Sequence, residues 1–592
     1  VPAWAADPLA YTVTIAKTGN APLDAALAAA STLTSLRTKA PVSPFGLVSR
    51  ARLDQGRFKT ALESEGYYDG ATSVTIDGFL LADPLLPEKL GALPKGHPVK
   101  VAVTVAPGPL FTIGAVSLGG SVPEQARRAF HLAAGQPARA ADVLAAGAAM
   151  LKALQNGGYA MADVPPPQAI EYPDRRQIDI AFVVATGPRL DLGPITFTGL
   201  RTVNARYVRR QLTIHQGELY RLDQVEAARQ ALASLPVFKT VQAIPAKAPD
   251  AAGQLPLTFS FVEAYRYVVA LNGAYSTDLG ASLGASWTDR DVFGAGQRLV
   301  FSAAATELGG SDAQEPGYDV EAHYTIPNWL RRDQTLAFDA IAVRQYLDTY
   351  DRTAITLDAI ATRQLSKSLS VSAGISGTEE RVTQESATTN YSFVGLPLGL
   401  TYDTTHNLLE PTHGVRASAT VTPTYSYGGT TGSAPYVLVQ GTASTYVNLA
   451  RPGRSILALR FTLGASEGAG TLSLPPDQRF YAGGSATLRG YKYQYASPEF
   501  PDGVPEGGTS LEAGTVELRQ RFGAHYGIAL FADGGQVGTT GIPFDGRFLI
   551  GAGAGVRYYT PFGPIRLDVA VPLVDQPHAG SLQAYIGLGE AF

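Results

Sequence analysis

Ser466 lies in Gly464-Ala465-Ser466-Glu467-Gly468, the residue pattern of a nucleophile elbow. That elbow needs a strand before the serine and a helix after it. Here Gly and Thr follow and then Pro475-Pro476, so the match reads as chance in a glycine-rich loop. The run from Gly551 to Gly555 hints at a phosphate loop, but a strand pattern follows it, not the helix whose N-terminus would bind phosphate. The eight His show no metal-ligand spacing, and cysteine is absent, which excludes disulfides, thiol catalysis and cysteine-ligated zinc. No catalytic set, metal site or cofactor is expected. What remains is a constellation of charge. Arg489 sits between flexible glycine-rich stretches of RFYAGGSATLRGY, residues 479–491, and Glu517 and Asp533 follow it. An Arg fork bonds carboxylates bidentately and stays charged, so these residues suit holding one segment against another.

Alternation positions them. From Tyr265 onward helical periodicity disappears and period two takes over. Tyr267, Val269, Leu271, Gly273 and Tyr275 share one face; Leu582, Ala584, Ile586, Leu588 and Phe592 share another. Apolar residues outward with polar or Gly residues inward is the pattern of a transmembrane barrel strand. By this parity Glu517, Arg519 and Arg521 point inward, as do Phe531, Asp533 and Gly535, and then Gly551, Gly553, Gly555 and Arg557. The opposite parity would set these charges against hydrocarbon, at about 2–4 kcal/mol for an Arg near the midplane. Glycines in phase on an inward face make room for another backbone. The segment ending at Arg489 is the candidate, with Glu517 and Asp533 placed to receive the guanidinium. Residues 265–592, at roughly twenty per strand and connection, leave room for about sixteen antiparallel strands.

Ahead of the barrel the chain repeats. Gly108-Pro109-Leu110-Phe111 and Gly187-Pro188-Arg189-Leu190 open two copies of strand, helix, helix, strand, strand, and a looser copy precedes them. The expected organisation is a leader over 1–10, small α+β modules over 11–107, 108–187 and 188–264, and a barrel over 265–592. Short sheets with open edges can pair with a visiting extended chain. Ala3-Trp4-Ala5 followed by Ala6-Asp7 reads as the end of a removed signal peptide. Charged residues are 17% with net charge -4, and no basic stripe marks a nucleic-acid partner. No stretch offers the ~18 apolar residues of a membrane helix, so spanning would require a closed barrel.

Together these residues resemble the BamA/TamA superfamily of outer-membrane insertases and translocases. Leu488-Arg489-Gly490-Tyr491 is similar to that family's loop motif, and Phe531-Ala532-Asp533-Gly534-Gly535 to its barrel-wall motif. Gly553-Ala554-Gly555-Val556-Arg557 resembles its last strands. Val292-Phe293-Gly294-Ala295-Gly296 and Pro411-Thr412-His413-Gly414 also match it. The repeats resemble polypeptide-transport-associated (POTRA) modules, and three of them look like the TamA branch. The resemblance implies that Arg489 locks the sixth extracellular loop against Glu517 and Asp533. It implies a weak seam between a first strand carrying Tyr267, Val269 and Leu271 and a last strand carrying Gly587 and Gly589. Phe592 resembles a C-terminal barrel signal, or serves as a girdle aromatic. The implied setting is the outer membrane of a Gram-negative bacterium with periplasmic modules. Implied partners are the lipid bilayer, unfolded outer-membrane or autotransporter client chains, and an inner-membrane-anchored protein resembling TamB. A dedicated two-partner secretion pore is the alternative.

Overall fold

The computed structural model describes residues 9–40, 42–94, 96–310, 315–428, 433–450 and 453–592. The Ala3-Trp4-Ala5 leader stretch lies outside them. Three times the N-terminal part runs strand, helix, helix, strand, strand. In the first copy Tyr11–Ile15 pairs in parallel with Val99–Ala106, whose other side takes Ala71–Ile76 antiparallel. In the second, Thr112–Gly119 pairs in parallel with Gln177–Val183, flanked by Gln168–Tyr172. In the third, Leu192–Thr198 pairs in parallel with Leu255–Glu263, and Phe238–Pro245 completes the sheet. Parallel neighbours need a long crossover, and the helices of each copy supply it.

Those helices cover one face of the first two sheets. Ile178, Ile180 and Phe182 alternate along Gln177–Val183 and are buried beneath Val143, Met150 and Leu154 of the helix Ala140–Asn156. In the first copy Leu23, Leu27, Phe58 and Leu62 cover Val101 and Val103 in the same way. This copy also carries an insertion, the short strand Phe79–Leu80 and the helix Leu86–Gly91. The insertion is what loosens its repeat pattern in the sequence. The first two copies end on the same link to the next one. The carbonyl of Gly66 accepts the N–H of Phe111 at 2.9 Å, and that of Gly158 accepts the N–H of Leu190 at 2.9 Å.

The second compact unit contains residues 261–592 together with 199–211 and 232–240. Its strands, from Tyr267–Ser276 to Gln583–Leu588, form a closed antiparallel barrel. Ala387–Gly395 and Leu398–Asp403 both pair with Leu369–Gln384 and with Gly414–Gly428, so together they fill one position and the barrel has sixteen. The break falls at Leu396-Pro397, where proline has no N–H to give the ladder. No helix among the described residues is long and apolar enough to cross a membrane. Strand alternation supplies the apolar surface instead: Val516 and Leu518 are exposed on the outside while Glu517 and Arg519 between them are buried within.

Candidate functional site

Residues 468–509 connect the strands Ser455–Glu467 and Ser510–Phe522 and fold back into the barrel lumen. Arg489 is its anchor, 1% exposed. Asp533 accepts three hydrogen bonds from it: from the backbone N–H at 3.0 Å, from Nε at 2.8 Å and from Nη2 at 3.0 Å. Glu517 accepts from Nη1 at 2.9 Å, and Asp568 lies 3.4 Å from the same nitrogen. The Phe531 ring closes the site, its centroid 3.4 Å from the guanidinium carbon. Register brings these groups to one height, because Glu517 faces Phe531 and Thr515 faces Asp533 across one strand pair. Burying charge is costly unless each group is paired and its remaining polar atoms bonded. Here the guanidinium has carboxylate partners on the wall and an aromatic face beside it.

The rest of the loop motif packs around this anchor. Leu488 is fully buried, and Tyr491 is buried with its hydroxyl 2.8 Å from the Ile550 carbonyl and 2.7 Å from that of Val574. The Gly490 N–H donates to the Tyr585 hydroxyl at 3.3 Å. The three inward glycines have different neighbours. A methyl on Gly551 would lie 2.0 Å from the Arg489 carbonyl oxygen, so this glycine admits the loop backbone. Gly553 makes room for the Phe531 ring, and Gly555 for the Asp568 carboxylate beside Arg557. Gly553 and Gly555 therefore shape the wall behind the loop, and the direct backbone contact belongs to Gly551.

Two further acids, Asp568 and Glu590, join the site beyond those the sequence singled out. Asp568 pairs with Arg557 at 2.5 Å, and Glu590 pairs with Arg557 at 2.8 Å and approaches Arg519 at 3.6 Å. Arg519 also donates to Glu517 at 2.8 Å. A second anchor was missed altogether. On other strands, Arg352 pairs with Glu380 at 2.8 Å and with the loop residue Asp477 at 3.1 Å. Arg479 donates to Gln384 at 2.9 Å, and Tyr495 donates to Asp348 at 3.2 Å. Arg352 and Glu380 lie in alternating strands whose sequence carries no loop-like motif to link them to the loop.

The seam is short. The first and last strands share two residue pairs, Tyr275 with Ile586 and Ser276 with Tyr585, whereas Ser510–Phe522 and Tyr526–Gly538 pair along their whole length. Tyr267, Val269 and Leu271 are 56%, 69% and 82% exposed and have no partner on the last strand. Gly587 belongs to the last strand, whereas Gly589 lies just past its end at Leu588, with its N–H still bonded to the Pro564 carbonyl. Phe592 departs from the parity reading. It turns inward against Tyr446, Ile456 and Ala458, with its ring stacked on Tyr446.

Comparison with known proteins follows the same division of the chain. Residues 267–592 match the model described as the Omp85 superfamily domain, and residues 191–264 match a POTRA model described as a surface antigen variable number repeat. The chain is 22% identical over 562 residues to the outer membrane protein assembly factor BamA of Neisseria meningitidis serogroup B, covering 83% of this chain and 68% of that protein. The crystal structure of BamA from Haemophilus ducreyi lacking POTRA domains 1-3 superposes with a TM-score of 0.68 at 17% identity. That match covers 81% of this chain and 100% of the other, and it shows a shared fold.

Proposed function

The chain belongs to the Omp85 superfamily, and from that membership we propose that it is an outer-membrane assembly factor. It inserts or translocates β-barrel and autotransporter-type client chains, with its modules in the periplasm of a Gram-negative cell. The observation that carries this reading is the open edge at the seam. Tyr267–Ser276 is paired along one side with Gly280–Asp289, while its other side meets the last strand at Tyr275 and Ser276, followed by Thr277, whose N–H donates to the Ala584 carbonyl at 3.1 Å. An unpaired row of N–H and C=O groups templates another strand. The loop fastened by Arg489 keeps the adjoining wall in one arrangement while that edge is used. The outer strands of the module sheets, such as Gln168–Tyr172, offer edges to an extended client. Three copies of the module favour the TamA branch and hence an inner-membrane-anchored partner resembling TamB. Co-purification of such a partner with the intact chain, lost when residues 11–107 are removed, tests that extension.

The decisive experiment locks the seam. Tyr275→Cys with Ile586→Cys joins the first strand to the last at a pair already in register, in a chain that has no cysteine of its own. Client assembly in reconstituted membranes is expected to stop on oxidation and return on reduction. Normal assembly by the locked barrel would overturn the reading.

A further inference from the structure

Beyond Leu588 the chain leaves the barrel wall. Gly589 adopts φ +88, a left-handed conformation that suits glycine, and its N–H bonds to the Pro564 carbonyl at 2.7 Å. The Glu590 N–H then donates to the Leu409 carbonyl at 2.9 Å, in the connection that precedes Gly414–Gly428. The Glu590 carboxylate meets Arg557 at 2.8 Å and Arg519 at 3.6 Å. Arg519 also donates to the Phe592 carbonyl at 3.2 Å, and the Phe592 ring lies 4.8 Å from the Arg460 guanidinium carbon. Residues 589–592 are thus held inside the lumen by the basic groups of the wall.

The register shows what this holding prevents. Tyr275 faces Ile586 and Ser276 faces Tyr585. Continued antiparallel, the same register sets Gly587 opposite Ala274, Ala591 opposite Ala270 and Phe592 opposite Val269. That edge of the first strand would then be occupied. Glu590 opposes this arrangement in two ways. It is paired with guanidiniums in the lumen, and in an extended strand it would share the outward face of Ile586 and Leu588, which are 44% and 56% exposed, where a carboxylate is disfavoured against lipid.

We infer that Glu590 is a positioning residue: by docking residues 589–592 on Arg557 and Arg519 it keeps the first strand's edge from 269 to 272 free of the chain's own C-terminal residues. The inference rests on the proposed use of that edge, but its test needs no client. In lipid vesicles, Ala270→Cys with Ala591→Cys reports closure of the seam, and Tyr275→Cys with Ile586→Cys reports the pairing already present. Glu590→Gln is expected to raise the first cross-link at least about tenfold, since losing one member of a shielded ion pair shifts a two-state equilibrium by that much or more. The second cross-link should stay constant, and Glu590→Asp should keep the first one low. Equal cross-linking of the first pair in the parent and Glu590→Gln would overturn the inference. Should Glu590→Gln fail to fold, a short bis-thiol reagent on Tyr446→Cys with Phe592→Cys decides the matter with Glu590 intact. Bridging there supports the docked tail, and its failure refutes it. A seam that zips in Glu590→Gln without loss of client assembly would leave the docking intact and sink the assembly reading instead.

Discussion

Arg489 meets Asp533 with two side-chain nitrogens and its own backbone N–H, a geometry that depends on a planar fork. Arg489→Lys keeps the charge but loses the fork. It should release the loop in part, seen as faster protease cleavage within residues 468–509 while the barrel stays folded. Arg489→Ala leaves Asp533 and Glu517 uncompensated, a loss of about 3–5 kcal/mol where the site is dry. Its folded barrel should therefore unfold at clearly lower denaturant; an unchanged midpoint would mean the anchor contributes nothing. Arg489 with Glu517 and Asp533 was legible in the sequence, because inward parity and the Arg's chemistry leave few partners. Asp568 was not. Choosing it requires knowing which inward carboxylate, several strands away, reaches the height of Arg489, and strand stagger is invisible to parity. Gly551 was legible as an inward glycine, yet the sequence could not say that it alone, among the three, touches the loop backbone.

At the scale of elements, alternation shows where a strand lies but not where its pairing stops. That is why the barrel was readable and the fate of residues 589–592 was not: Gly589 turns a stretch whose parity still fits a strand. The repeated modules were readable for a different reason, since their strands are covered on one face by helices of period 3.6. One element carries a pH-dependent brace. Asp54, buried in the helix Pro44–Ser64, accepts from the Leu33 N–H at 2.8 Å and from the hydroxyls of Ser31 and Thr32, and pairs with Arg57. Burial pushes its carboxyl upward, but the hydrogen bonds from Leu33, Thr32 and Arg57 outweigh that and hold it below its ordinary value of 3.8. A depressed carboxylate stabilises the fold fully above the unfolded value and loses that contribution as pH falls through the folded one. Asp54→Asn should therefore destabilise the first module at neutral pH, by about 1–3 kcal/mol for a buried group left poorly bonded. Chemical unfolding followed by helical ellipticity should show the gap between parent and variant narrowing below pH 4, as expected for a carboxyl of ordinary value 3.8 held lower by its bonds; a gap that widened with acid would contradict this.

At the scale of the whole molecule, the change of pattern at residue 265 marks where the barrel strands begin but does not show which earlier residues pack with them. Residues 199–211 and 232–240 belong to the same compact unit as the barrel. Glu263 explains part of this, since its carboxylate accepts the N–H groups of Arg201, Thr202 and Val203 at 2.7, 3.0 and 3.1 Å. Asn204 then donates to the Gly294 carbonyl at 2.7 Å, and Arg332 donates to the Arg210 carbonyl at 3.0 Å. The turn Val292-Phe293-Gly294-Ala295-Gly296 has its use here: a methyl on Gly296 would lie 2.6 Å from the Tyr207 hydroxyl. Truncation at residue 188 keeps this shoulder, whereas truncation at 265 removes Glu263, Asn204, Tyr207 and Arg210 together. The longer fragment, 188–592, should keep the parent's heat-modifiable barrel band on gels. The shorter one, 265–592, should unfold at a lower temperature, because the Gly294 carbonyl loses the Asn204 N–H. Gly296→Ala in the full chain should move in the same direction, since a methyl there meets the Tyr207 hydroxyl and the backbone, at φ +71, disfavours a side chain. If both fragments melt together, the shoulder is an ornament of the third module and the barrel begins, energetically as well as in sequence, at its first strand.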